Sequence, residues 1–190
     1  MLTRKNRASS DLRLQLEKAE LDFVVGCGLE ASERIHVIDL IENRFVFASA
    51  PDGESPDTPI ALRDALQSNL IFYGEKSVSW RAARDAAEAT RQPLNGEQHV
   101  TSIDLWRSLL RQGVGTSITP FGAIAEEVAR GEIAVREIAD QPIFRRIGIA
   151  CPIELAAEAW AGVFVDVIVD LVLTGHSRTG THYRGLDWTW

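Results

Sequence analysis

Strands alternating with helices around a parallel sheet, the α/β class, are what this chain predicts, and three observations carry the prediction. Three consecutive segments each read as a short apolar strand, then a turn or hydroxyl residue, then a helix with one apolar face. Glycines at Gly113 and Gly131 stand just past two of those helices, where a left-handed residue ends the coil. A content of 45% hydrophobic residues in 190 suffices to bury a core in one domain or in two small lobes.

The first strand is Leu21 to Val25, in the apolar stretch that precedes Gly26-Cys27-Gly28-Leu29-Glu30-Ala31. That hexapeptide has the G-x-G-x-x-G/A form of a dinucleotide-binding turn, which requires a long helix directly after it. Here Ile35, Val37 and Ile38 begin a new strand-like run, leaving room for barely one helical turn, so the nucleotide reading fails. Arg44 to Ala48 is again strand-like.

The three strand–helix units come next. Leu70 to Tyr73 form a strand, Gly74 a turn, and Ser77 or Ser79 caps a helix carrying Ala82, Ala83, Ala86 and Ala87. A strand through Val100 leads to Thr101 or Ser102 as cap, Asp104 in the first turn, and a buried face of Ile103, Trp106, Leu109 and Leu110 before Gly113. Val114, Thr116 and Ile118 then alternate as a strand, Thr119 caps, and Pro120 takes the first helical position, where its missing N–H costs nothing. Phe121, Ile124 and Val128 space one face, Gly131 stops it, and Ile133, Val135 and Ile138 resume as strand.

Parallel strands joined by right-handed crossovers would gather these helix starts at one sheet edge. There Ser77, Val78, Ser79, Thr101, Ser102, Thr119, Pro120 and Phe121 offer hydroxyls, free N–H groups and positive dipole ends to a small anion such as a carboxylate or sulfate. Phe121 or Trp80 would pack its apolar part. The alternative is that each cap satisfies only its own helix.

The stretch from Leu155 to Leu173 is the most apolar, but Asp166 and Asp170 share one helical face while Leu155, Trp160, Val163, Phe164, Val167, Ile168 and Leu171 cover the rest. This predicts a core-facing amphipathic helix and no membrane span. After Gly175 periodicity ends, and Trp188 and Trp190 lie in a loose tail. The net charge of −7, with Arg4, Lys5 and Arg7 as the one basic cluster, argues against a surface that neutralises phosphates. Cys27 and Cys151 give neither a disulfide framework nor a metal spacing, and no secretory signal opens the chain, so a cytoplasmic location with reduced thiols is expected. His36, His99, His176 and His182 are scattered, and no nucleophile elbow, phosphate loop or paired carboxylates point to an enzyme.

The runs "SSDLRLQLEKAELDFVVGCG", "IENRFVFASAPD", "TSIDLWRSLLRQGVGTSITPFGAIAEEVARGEIAVREI" and "FRRIGIACP" resemble the effector-binding region of LysR-type transcriptional regulators. The specific part is a G-x-G-x-x-x-x-P-x-x-A-x-x-x-E run met by Gly113, Gly115, Pro120, Ala123 and Glu127, followed by Val128 and Gly131, with Ile133 where the family has Leu. The resemblance covers Ser9 to Gly175. It implies a type 2 periplasmic-binding-protein-like α/β fold with two lobes, crossovers near Ala48 to Pro51 and Gly148 to Pro152, and an effector in the cleft between lobes. By the same resemblance, Ser9, Gly26 and Cys27 contribute from lobe one.

The family's winged helix-turn-helix and linker helix do not fit before Ser9, and its first strand–helix–strand is missing. The resemblance therefore implies a truncated regulator. Residues 1–8 form a disordered start, 9–50 and 148–175 a partial lobe one, 51–147 lobe two, and 176–190 a flexible tail. Its expected partners are a small-molecule effector, a carboxylate or other oxyanion, and a second copy or a full-length LysR-type relative. No cofactor, metal, catalysis or specific DNA binding by this chain alone is expected. The competing reading is a solute-binding-type protein or a small α/β enzyme acting on a carboxylate or nucleotide.

Overall fold

A computed structural model describes residues 9–51, 58–75, 77–177 and 183–185. The chain divides into two compact units, one of residues Met1–Glu42 with Arg145–Trp190 and the other of Asn43–Phe144. The divisions fall inside two long strands, β2 (Ile35–Ser49) and β7 (Phe144–Pro152), several residues before the Pro51 and Gly148 expected from sequence. The strand-like runs at Ile35 and Arg44 are thus one continuous strand.

The first unit opens with α1 (Ser9–Glu17) and β1 (Val24–Cys27), the latter starting three residues and ending two residues later than the expected Leu21 to Val25. β1 lies antiparallel to β7, with Val24 opposite Ala150 and Cys27 opposite Ile147. Gly148 lets β7 approach β2, since a Cβ there would sit 2.6 Å from the Ile38 carbonyl oxygen. Leu16, Val24, Ile35 and Ala150 form the core on the α1 side. Ile38, Leu40, Ile41 and Ile149 pack on the other side with Val165 and Val169.

The predicted helix from Leu155 is two helices. A short α6 (Ile153–Ala156) precedes α7 (Ala159–Ser177), and the buried stripe of α7 is Ala161, Val165 and Val169. Trp160, Val163 and Val167, expected in the core, are 52%, 65% and 55% exposed. Among the described residues no helix is long and apolar enough to cross a membrane. The helix runs to Ser177 and a further strand, β8 (Tyr183–Gly185), pairs with β2, so part of the expected loose tail is ordered in a sheet. Residues 1–8, Trp188 and Trp190 lie outside the described residues.

The second unit holds α2 (Leu62–Gln67), β3 (Ile71–Tyr73), α3 (Val78–Thr90), β4 (Gln98–Val100), α4 (Ile103–Arg111), β5 (Ser117–Pro120), a 3-10 turn (Phe121–Ala123), α5 (Ala125–Ala129) and β6 (Ala134–Glu137). β3 and β4 are parallel, and Leu70 bridges Thr116 in the parallel sense, which sets the order β4-β3-β5. The sheet is not wholly parallel. β2 joins antiparallel, pairing Phe45–Ala48 with β5 on one side and Val46–Ser49 with β6 on the other.

Helix α3 buries Ala82, Ala83 and Ala87 against Phe45, Phe72 and Ile118, where small side chains allow close approach to the sheet. Helix α4 buries Trp106 and Leu110 on the opposite face with Val46, Ala48, Ile71 and Ile124. Asp140 accepts a hydrogen bond from the Leu62 N–H at 2.8 Å, capping α2 in place of Ala61, which has no side-chain oxygen to offer.

Candidate ligand site

In a sheet ordered β4-β3-β5, the chain leaves β3 towards one side and reaches β5 from the other, so the topological switch lies between β3 and β5. Open α/β sheets bind ligands at the carboxyl ends of strands flanking such a point. The residues following β3 and ending β5 flank that point.

Ser77 caps α3, accepting the Trp80 N–H at 3.2 Å. The N–H groups of Val78 and Ser79 belong to the first turn, which has no carbonyl of its own to meet them. The Ser79 hydroxyl donates to Thr119 Oγ1 at 3.4 Å. Thr119 is the correction that the structure makes to the sequence reading. It caps no helix: it is a buried residue of β5, paired with Val46, and β5 stays extended through Pro120 because β2 offers ladder partners as far as Phe45. The coil that follows is only a 3-10 turn and five residues of α5, neither with a side-chain cap.

The amino ends of these strands are tied together. Thr116 N–H donates to Asn69 O at 2.9 Å and Ile71 N–H to Thr116 O at 2.8 Å. Ser68 and Thr116 hydroxyls meet at 2.8 Å, and Asn69 Nδ2 donates to Val114 O at 2.9 Å. Gly115 is obligatory here, since a Cβ would fall 2.5 Å from Ile71 Cδ1 and 2.8 Å from Asn69 O. Beyond the Leu70–Thr116 bridge, β3 and β5 pair no further. The Ile71 carbonyl instead accepts the buried Trp106 indole N–H at 3.0 Å. The parallel pairing thus stops at Ile71, whose N–H is bonded to β5 and whose carbonyl is taken by Trp106; Ser77, Val78 and Ser79 follow the free carboxyl end of β3, and Thr119, Pro120 and Phe121 stand at that of β5.

Thr101 and Ser102 stand apart from these ends. Ser102 caps α4, accepting the Leu105 N–H at 3.3 Å, but α4 begins after β4, the outer strand. Two caps of the expected three exist, and they do not share the switch point. Trp80 is turned towards β4: Arg84 lies over its ring at 4.3 Å, its indole N–H donates to Glu97, and its ring edge meets His99, so its surface is already engaged. Phe121 packs partly on the α4 face of the core.

One feature invisible in sequence supports the turn bearing Phe121. Glu127 is only 4% exposed, and its Oε1 lies 3.4 Å from Arg107 Nε and 3.5 Å from an Arg130 nitrogen. Arg107 also donates to the Ala123 carbonyl at 3.0 Å, which ties α4 to the turn bearing Phe121.

The remaining site residues belong to the first unit. Ser9 is the first residue of α1, Gly26 lies within β1 and Cys27 ends it. Neither cysteine is in a disulfide. Cys151 follows Ala150, which opposes Val24, so four residues of strand separate it from the level of Cys27. At about 3.3 Å per residue that is roughly 13 Å, beyond bridging range. Burial pushes the Cys151 thiol up to about 11. Among the described residues no cluster of His, Cys, Asp and Glu is placed to hold a metal ion.

Residues 5–172 match the LysR substrate binding domain, and the chain belongs to that family. Its fold is the type 2 periplasmic-binding-protein-like α/β fold. The regulatory domain of MetR, a LysR family regulator from N. meningitidis, superposes with a TM-score of 0.72 at 14% identity, covering 94% of this chain and 81% of that one. OxyR of Corynebacterium glutamicum gives 0.72 at 16% identity over 90% of this chain and 54% of its own. Full-length OxyR from Pseudomonas aeruginosa gives 0.66 at 22% identity over 85% and 55%. No curated protein sequence matches the chain. Regulatory domains of this family are parts of transcription regulators, bind small-molecule effectors and form oligomers.

Proposed function

We propose that this chain is an effector-sensing module that takes a small oxyanion, a carboxylate first of all, at the carboxyl ends of β3 and β5 in its second unit. The observation that carries the reading is the meeting of the α3 start with Thr119 beyond the point where β3–β5 pairing stops. The first-turn N–H groups donate to the anion, as does the Ser79 hydroxyl on exchanging its long bond to Thr119 for the ligand, the α3 dipole favours its charge, and Phe121 supplies an apolar wall. Thr101 and Ser102, one strand further out, contribute to α4 and not to the ligand. No step of chemistry is required of the site; its output is the free energy by which the ligand favours the folded, occupied state.

A thermal-shift panel of acetate, benzoate, succinate and sulfate tests this. A compound at a hundredfold excess over its Kd adds about 2.7 kcal/mol. The shift should vanish in Ser79→Ala with Thr119→Val and survive in Ser102→Ala. The reverse pattern would transfer the site to α4 and end this proposal.

A further inference from the structure

Helix α7 covers one face of the first unit yet leaves a second apolar stripe uncovered. Trp160, Val163 and Val167 recur at i, i+3 and i+7 and are each more than half exposed, a spacing that lines one side of a helix. The Trp160 ring meets Phe23, just before β1, edge to face at 6.0 Å, and Val25, two residues on from Phe23, is 45% exposed. Among the described strands β1 pairs with β7 alone, so the sheet does not extend over this patch. A contiguous apolar surface of this kind marks an interaction site.

The charges around it select the occupant. Glu154 on α6, Glu158 between the helices, and Asp166 and Asp170 on α7 are all exposed, and no Lys, Arg or His occurs between Arg146 and His176. Asp166 and Asp170 run along one flank of the stripe. Such a rim repels an anionic lipid surface and fits a helix whose apolar stripe is bordered by lysines or arginines. Several arginines of the described helices are already paired within the chain, Arg84 on α3 with Glu88 at 3.6 Å among them. Arg13 on α1 is engaged by Glu17 at 3.1 Å, and Arg107 and Arg111 on α4 by Glu127 and Glu132 at 3.4 and 3.2 Å. We infer that the α7 face is a docking groove for a cationic amphipathic helix of a partner polypeptide.

The test uses the full chain and two labelled peptides of about 15 residues, roughly four helical turns, with leucines at i, i+3, i+4 and i+7 and the remaining positions all Lys or all Glu. Fluorescence anisotropy at low salt should show the Lys peptide binding about tenfold or more tighter than the Glu peptide. Val163→Glu should abolish binding. Asp166→Lys with Asp170→Lys should invert the peptide preference, a result that general loss of folding cannot produce. Equal affinity for the two peptides, or binding indifferent to Val163→Glu, would overturn the inference. So would a concentration-dependent dimer abolished by Val163→Glu, which assigns the face to a second copy, or retention on phosphatidylserine vesicles, which assigns it to lipid.

Discussion

Replacing Trp106 by Phe removes one donor and little else from the second unit, and the structure gives the cost. The indole is 2% exposed, its N–H is bonded at 3.0 Å to the carbonyl of Ile71, and Ile71 is itself wholly buried. Without the indole N–H, that carbonyl stays in an apolar core facing no donor from α4, which costs about 1–3 kcal/mol. The lost ring atoms leave a gap worth about 1 kcal/mol more. The sum, about 2–4 kcal/mol, is a large share of the 5–15 kcal/mol typical of a folded domain. Urea unfolding followed by far-ultraviolet circular dichroism measures it, with Trp160→Phe as the control. Trp160 is half exposed at the surface of the other unit, where a substitution costs about 0.5 kcal/mol or less. Equal losses in the two variants would mean that the indole bond does not secure the Ile71 carbonyl, and the reading that it ends β3–β5 pairing there would fail.

Three other outcomes follow from particular contacts. Gly115→Ala forces a methyl against Ile71 and the Asn69 carbonyl and should destabilise the chain by about 2–3 kcal/mol, read as a lower urea midpoint at unchanged slope. A thiol reagent at pH 8 should modify half-buried Cys27 well before Cys151, whose thiol titrates near 11, and mild oxidation should form no bridge between them. Glu132 is held below its ordinary range by hydrogen bonds from Arg130 and Arg111, so its stabilisation is complete above the unfolded carboxyl pKa and is lost as pH falls through the lower folded value. Glu132→Gln should accordingly flatten the acid limb of a stability–pH profile and leave its alkaline side unchanged.

What could be read from the sequence was local. Ser77 and Ser102 announce their helices by residue type and by the apolar spacing behind them, and both caps form. The left-handed glycines Gly74, Gly113 and Gly131 likewise sit where the turns and helix ends require them. What escaped was set by partners distant in the chain. Thr119-Pro120 has the local form of a helix start, yet β2, some 70 residues earlier, holds it extended. The capping of α2 by Asp140 and the Trp106 bond to Ile71 are also long-range, and nothing near Leu62 or Ile71 in sequence signals them. The α7 error had a different origin. Periodicity shows that Trp160, Val163 and Val167 share a face, but not whether any element covers it.

Under the proposed function an anion is received by α3 and β5 together and not by α4. Amide chemical-shift mapping of the isotope-labelled chain, titrated with sodium sulfate at constant ionic strength, tests it residue by residue. Saturable shifts concentrated at Val78, Ser79, Thr119, Phe121 and Gly122, with Ile103 to Leu105 unmoved, are the predicted result. Shifts centred on Ile103 to Leu105, or a linear drift spread evenly over both units, would contradict it.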